Sequence, residues 1–264
     1  MLIDSHCHLD KLNLDQYNGK LELALQAALD VGVQKILCPG VDFAGLDQVL
    51  AIAHAHSDMV YAAVGSHPTE DVGLVFTVEE IIAKAKDPLV VAIGETGLDF
   101  YERGETLSDK EKDAQRQCFR SHIQAALVLQ KPLVIHSRNA GLEVLQILTE
   151  EGASAVGGVL HCFADNMEIA EKAVEMGFFL GISGIVTFKN AKTLQEIVAK
   201  IPLSSLLLET DAPFLAPDPY RGKPNEPSYL PYIAEKIAKI KGISLKDVAE
   251  QTSKNFFRIF GRRD

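Results

Sequence analysis

Eight short apolar runs, spread along the whole chain, constrain this sequence more than any other feature. They read LIDSHCH (2–8), KILCPG (35–40), VYAAVGSHP (60–68), LVVAIGETG (89–97), PLVIHSR (132–138), GGVLHCF (157–163), FFLGISG (178–184) and SLLLETDAP (205–213). Their inner residues are nearly all apolar and do not alternate with polar ones, the pattern of strands buried on both faces of a parallel sheet. Amphipathic helical stretches lie between them. LELALQAALDVG puts Leu21, Ala24, Leu25, Ala28 and Leu29 on one face and stops at Gly32, a glycine suited to the C′ position. Residues 112–130 and 141–152 behave similarly, and the last helix opens on a capping box formed by Ser244 and Asp247. Eight strands alternating with helices over about 250 residues predict an α/β fold, a distorted (β/α)8 TIM barrel, as one domain over 1–264. A doubly wound open sheet is the alternative. The Pro-rich stretch 214–228 directly follows the last strand and is expected to loop over the barrel mouth.

Ligand-type side chains gather at the C-terminal ends of these strands: His6 and His8 on the first, His67 on the third, Glu95 on the fourth. His136, His161 and Asp211 end the fifth, sixth and eighth. In a barrel those ends converge on one mouth, where active sites of this fold are built. Residues i and i+2 of a strand share a face, so His6 and His8 should project together while Cys7 turns away. His54 and His56 have the same spacing but fall in a helical pattern, where i and i+2 diverge, and no site is expected there. His122 reads as a surface or packing residue. Cys7 and Cys162 read as core residues, turned from the mouth by the pleat.

Six ligands exceed what one catalytic ion takes, which is about three from the protein with a position left open. They suit two divalent ions sharing a carboxylate. Glu95 is the natural bridge, with His6, His8 and Asp211 on one side and His136 and His161 on the other. Such a pair would bind and activate a shared water and polarise the scissile group. Asp211 would orient that water or accept its proton. The pocket would then be cationic and suited to an anion such as phosphate. Glu209 points the same way as Asp211, one step deeper, and is a candidate second-layer or substrate contact. Arg221, Lys223 and Asn225 in YRGKPNEP, with Arg138 after His136, are candidates to hold a phosphate, and His67 to touch ligand or substrate. Imidazole-rich sites favour Zn, Mn or similar ions, whereas Mg prefers all-oxygen ligands.

Acidic residues outnumber basic ones by 36 to 26, for a net charge of −10, which argues against broad adhesion to duplex DNA or anionic membranes. Four cysteines without a CxxC pair fit a reducing compartment. No apolar run approaches the ~18 residues of a membrane span, and no signal peptide is visible. The expectation is a soluble, cytoplasmic protein with no membrane contact and no obligate protein partner.

The blocks DSHCHLD, GSHP, GETGLD, IHSR, HCF, SGIVTFKN and ETDAPFLAP…RGKPNEP, in this order, closely resemble the TatD family of metal-dependent deoxyribonucleases among the amidohydrolase-like hydrolases. The likeness runs from Met1 to the closing NFFRIFG. It implies a distorted TIM barrel and metal ligands at His6, His8, Glu95, His136, His161 and Asp211. It further implies hydrolysis of DNA phosphodiester bonds, 3′→5′ from single-stranded ends or on short oligonucleotides. Many relatives bridge their ions with a modified lysine on strand four; this chain carries Glu95 there. Two other functions compete: hydrolysis of another ester or amide, such as a D-aminoacyl-tRNA, and a non-catalytic metal-bound binding protein.

Overall fold

A computed structural model describes residues 1–70, 73–101 and 107–261. Eight parallel strands lie in one sheet in sequence order: β1 (Leu2–Asp4), β2 (Val33–Pro39), β3 (Val60–Val64), β4 (Val90–Asp99), β5 (Leu133–Arg138), β6 (Gly158–Leu160), β7 (Phe179–Ile182) and β8 (Leu206–Leu208). Each pairs in parallel with the next. The seam between β8 and β1 is joined past the regular strands. Ser5 N donates to Leu208 O, Asp211 N to His6 O and His8 N to Ala212 O, all within 2.8–2.9 Å. The result is the predicted (β/α)8 barrel, nearly closed, rather than a doubly wound sheet.

Helices α1 (Leu21–Asp30), α2 (Leu46–Ala55), α3 (Val78–Lys84), α4 (Asp109–Leu129), α5 (Gly141–Glu150), α6 (Met167–Glu175), α7 (Lys192–Lys200) and α8 (Leu230–Lys241) follow the eight strands in turn. A further helix, α9 (Leu245–Phe260), ends the described chain. Ala24, Leu25 and Ala28 of α1 are buried as expected, whereas Leu29 turns out to solvent. Gly32 sits just past α1 at φ +91°, and its N–H closes on Leu29 O. The capping box of Ser244 and Asp247 opens α9, and Ser108 with Glu111 makes the same device at α4. No helix among the described residues is long and apolar enough to cross a membrane.

Two apolar clusters fill the molecule. The larger lies between the outer strand faces and the helices. The smaller takes Ile3, Leu37, Ala63, Val134, Val159, Phe179 and Leu207, one from each of seven strands, with Val91 and Ala92 from β4. Phe256 and Phe260 of α9 complete it, both almost fully buried. Thus α9 floors the barrel at its N-terminal end and leaves the opposite end for chemistry.

Candidate metal centre

The route by which His6 and His8 reach the mouth differs from simple pleating. Ile3 belongs to the inner cluster, so alternation would carry Ser5 and Cys7 inward. Regular strand geometry stops at Asp4, whose buried carboxylate accepts from Thr210 N (2.9 Å), Thr210 Oγ1 (2.6 Å) and His6 N (3.3 Å). Burial pushes Asp4 up to about 7 despite those bonds. Beyond this knot Cys7 joins the outer apolar cluster, and the two imidazoles meet with Nε2 atoms 3.2 Å apart.

All six side chains singled out as ligands converge, and Glu95 lies between them. Its Oε2 is 3.2 Å from His6 Nε2 and 3.8 Å from His8 Nε2. Asp211 Oδ1 closes that group at 3.7 Å from His6 Nε2 and 3.3 Å from His8 Nε2. Glu95 Oε1 faces the other way, 3.2 Å from His136 Nδ1 and 2.7 Å from His161 Nε2, which are 3.3 Å from each other. Donors about 2.0–2.2 Å from a tetrahedral ion lie roughly 3.3–3.6 Å apart. Most of these distances match that spacing, Glu95–His161 being shorter, and two triads, His6 with His8 and Glu95 and His6 with His161 and Asp211, lie close enough to hold a metal ion. The donor chemistry, imidazole with carboxylate, fits the same purpose.

The electrostatics of the protein groups at the site follow from this crowding. Burial disfavours charge on Glu95, yet the imidazoles of His161, His67, His6 and His136 hold its carboxylate well below the usual range. Burial also disfavours charge on His161, but Glu95 and Glu209 hold it well above its ordinary value. His8 and His136 are raised against their burial by Asp211 and Asp99 respectively, with Glu95 adding to both. His6 is lowered by burial and by its neighbour His161, on which it stacks at 3.9 Å.

His67 stands 3.4 Å from Glu95 Oε1 through Nε2. Its Nδ1 accepts the backbone N–H of Thr69 at 3.2 Å, so the neutral ring carries its proton on Nε2. Although His67 Nε2 lies near enough to Glu95 and His136 to complete a ligand triad, we read it as a hydrogen-bond donor into the cleft. Burial pushes it down to about 3, which keeps the ring neutral.

Several sequence expectations are corrected. Cys162 does not turn away: at φ +45° it leaves strand alternation and lines the cleft, its Sγ 3.2 Å from Ser183 Oγ. Glu209 is 0% exposed and cannot touch substrate. Its carboxylate accepts the N–H of Cys162, lies 3.7 Å from His161 Nδ1 and takes the Ser5 hydroxyl at 3.5 Å. Asn225 is 2% exposed and ties the β8 loop together, donating to Thr210 O and Phe214 O and accepting from Glu226 N. Arg221 and Lys223 are exposed and stand outside the wall of the cleft. Arg138 does line it, its guanidinium 3.8 Å over the Tyr101 ring.

The cleft has a volume of about 580 Å3 and is walled also by Lys11, Asp99, Ile185, Phe214 and Leu215, which pattern reading missed. Asp99 is the important omission. Its Oδ2 lies 3.3 Å from His136 Nε2 and orients that ring so that Nδ1 faces Glu95. A signal existed: Glu95, Gly97 and Asp99 share one face of β4, which continues to Asp99. Lys11 sits in a short 3-10 turn (Leu9–Lys11) with no sequence signal of its own. His54 is exposed and pairs with Asp87, apart from the site, as its helical setting predicted. His122 is a packing residue, accepting from Ser66 N and donating to Cys118 O.

Comparison with known proteins agrees with this architecture. The family described as TatD related DNase matches residues 3–261. The metal-dependent hydrolase YabD of Bacillus subtilis is 41% identical over 264 residues, covering 98% of this chain and 99% of its own. A mouse protein, TATDN3, whose name proposes a deoxyribonuclease, is 34% identical, covering 98% of this chain and 88% of its own. The crystal structure of YJJV, a TatD homolog from Escherichia coli, superposes with a TM-score of 0.86 at 27% identity, covering 99% and 98% of the two chains.

Proposed function

The chain belongs to the TatD family of metal-dependent hydrolases, and on that premise we propose that it is a deoxyribonuclease working 3′→5′ on single-stranded ends. The observation that carries this reading is the division of Glu95: one carboxylate oxygen toward His6 and His8, the other toward His136 and His161. In the proposal His6, His8, Asp211 and Glu95 hold one divalent ion, and Glu95, His136 and His161 hold a second, of Zn, Mn or Mg. Bound there, the ions supply Lewis-acid polarisation of a phosphoryl oxygen and lower the pKa of water. The protein supplies the rest. Asp211, within reach of His8, accepts the proton of the attacking water. Arg138 and Lys11 on the wall neutralise the phosphodiester. His67 donates its Nε2 proton toward the same space. The net charge of −10 favours a strand end over an internal duplex site, and four free thiols suit a reducing, cytoplasmic setting.

The test is chelator-stripped protein given Mg, Mn or Zn singly, with 3′- and 5′-labelled single-stranded DNA followed side by side, and Glu95→Ala as control. A metal-dependent ladder shortening from the 3′ end, lost in the variant, is the expected result. Equal cutting of covalently closed duplex circles would overturn the strand-end preference. Binding of two ions without cleavage of any DNA would overturn the nuclease reading and turn attention to D-aminoacyl-tRNA or other esters and amides.

A further inference from the structure

Arg221 and Lys223 are conspicuous because they do not enter the cleft. The protein is acidic; of its other described arginines, Arg138 and Arg258 rest over Tyr101 and Phe179, whereas Arg116 takes Asp113 and Glu143, and Arg120 takes Glu150 and Glu151. Among the described residues Arg221 and Lys223 make no such pair. Arg221 instead sits over Phe188, its guanidinium carbon 4.1 Å from the ring centroid, and Lys223 stands 6.0 Å from the Tyr220 ring. Tyr220 in turn stacks on Tyr229 at 4.1 Å with the rings 5° apart. A guanidinium held over an aromatic face loses less freedom when its planar fork of N–H donors takes a phosphate.

These pairs continue the wall of the cleft. Ile185 of the β7 loop and Leu215 of the β8 loop both line the cavity. The two loops are locked together, with Asp218 N donating to Thr187 Oγ1 at 2.8 Å. Phe188 follows Thr187, and Arg221 reaches across from the β8 loop to cover it. At the cleft end of the same surface Phe214 is 52% exposed and meets His8 edge-on at 5.8 Å. An exposed ring beside the reacting centre, followed outward by stacked cations, is the alternation that holds a single strand: base on aromatic face, phosphate on cation.

We propose that the β7 and β8 loops form a track for the part of a single DNA strand that lies beyond the scissile bond. Phe214 stacks the base next to the cleft, and Arg221 and Lys223 hold phosphates farther along. This rests on the nuclease reading above. It predicts that substrate length matters, because a dinucleotide fills the cleft without reaching Arg221.

The experiment uses chelator-stripped full-length protein and fluorescein-labelled oligo-dT of two, four and eight nucleotides. Affinity is read by anisotropy at several salt concentrations, and wild-type protein is compared with Arg221→Ala/Lys223→Ala. Wild-type affinity should rise at least about tenfold from two to eight nucleotides. The double variant should flatten that rise to about two- or threefold, and its salt slope for the octamer should fall by about 1.4, the value for two lost contacts on a single strand. Arg221→Lys, which keeps the charge but loses the planar fork of donors, should fall between. Thermal unfolding at the wild-type temperature verifies that the variants are folded. Octamer binding by the double variant equal to wild type, or length-independent binding by the wild type, would overturn the track. Metal-dependent DNA cleavage with no length dependence would overturn the track alone. Neither binding nor cleavage of DNA of any length would overturn the nuclease reading and the track together.

Discussion

Gly181 and Glu209 offer a test of how the centre is held from below. Gly181 lies in β7, and a methyl group added there would press on Glu209 Oε2 and stand 2.7 Å from its carboxyl carbon. The missing side chain is thus the space in which a fully buried carboxylate sits, accepting Cys162 N–H and facing His161 Nδ1. Gly181→Ala should force that carboxylate aside. Overpacking of this kind costs about 1–3 kcal/mol, and loss of a hydrogen bond to a charged group about 1.5–3 kcal/mol. A total of roughly 3–5 kcal/mol, against an unfolding entropy of about 2.1 cal/mol/K per residue, lowers Tm by about 5–9 °C for this chain length. The sharper measurement is a double-mutant cycle by thermal or urea unfolding of the ion-free protein. Glu209→Ala removes the obstacle, so Gly181→Ala in that background should cost no more than about 1 kcal/mol, a coupling of about 2 kcal/mol or more. Additivity within about 0.5 kcal/mol, or an unchanged Tm for Gly181→Ala alone, would refute the claim that the glycine exists to seat Glu209.

Two further outcomes follow from other buried groups. Burial pushes His122 down to about 4, below its unfolded value, so its contribution to stability is intact above about pH 6.5 and is lost as pH falls toward 4. His122→Asn should therefore lose less stability than wild type between pH 7 and 4.5, by on the order of 2 kcal/mol in urea titrations, and parallel curves would sink the assignment. Asp99→Asn removes the charge that orients His136, and ion affinity measured by competition with a chromophoric chelator should weaken roughly 10–100-fold while Tm changes little. An affinity within twofold of wild type would show that Asp99 does not act through that ring.

Reading the chain as a pattern recovered the barrel because buried parallel strands announce themselves as apolar runs. It brought the right residue types to the mouth because strand ends converge there. What it misjudged was set by contacts between distant residues. The inward turn of His6 and His8 depends on Asp4 gripping Thr210, 206 residues away, and not on unbroken alternation. Cys162 enters the cleft because its backbone leaves the strand at positive φ, which no periodicity reveals. Asn225 looks like an exposed phosphate holder in sequence, yet it is consumed by hydrogen bonds inside the fold, and Glu209, placed one step deeper than Asp211, is buried too far to meet substrate. Motif proximity does not reveal that the path of the β8 loop carries Arg221 and Lys223 past the rim of the cleft.

The aromatic floor has a consequence for how the molecule is made. Phe256 and Phe260 seal the inner ring of strand residues, and Ser253 of the same helix donates to Met1 O at 3.0 Å, tying the first strand to the last helix. During synthesis all eight strands leave the ribosome before the helix that closes their interior. Until α9 emerges, the inner residues of the barrel face an open end, and its first strand lacks its anchor. The nascent chain therefore carries its greatest exposure to misassociation in the interval when most of its sheet exists and α9 has not yet emerged.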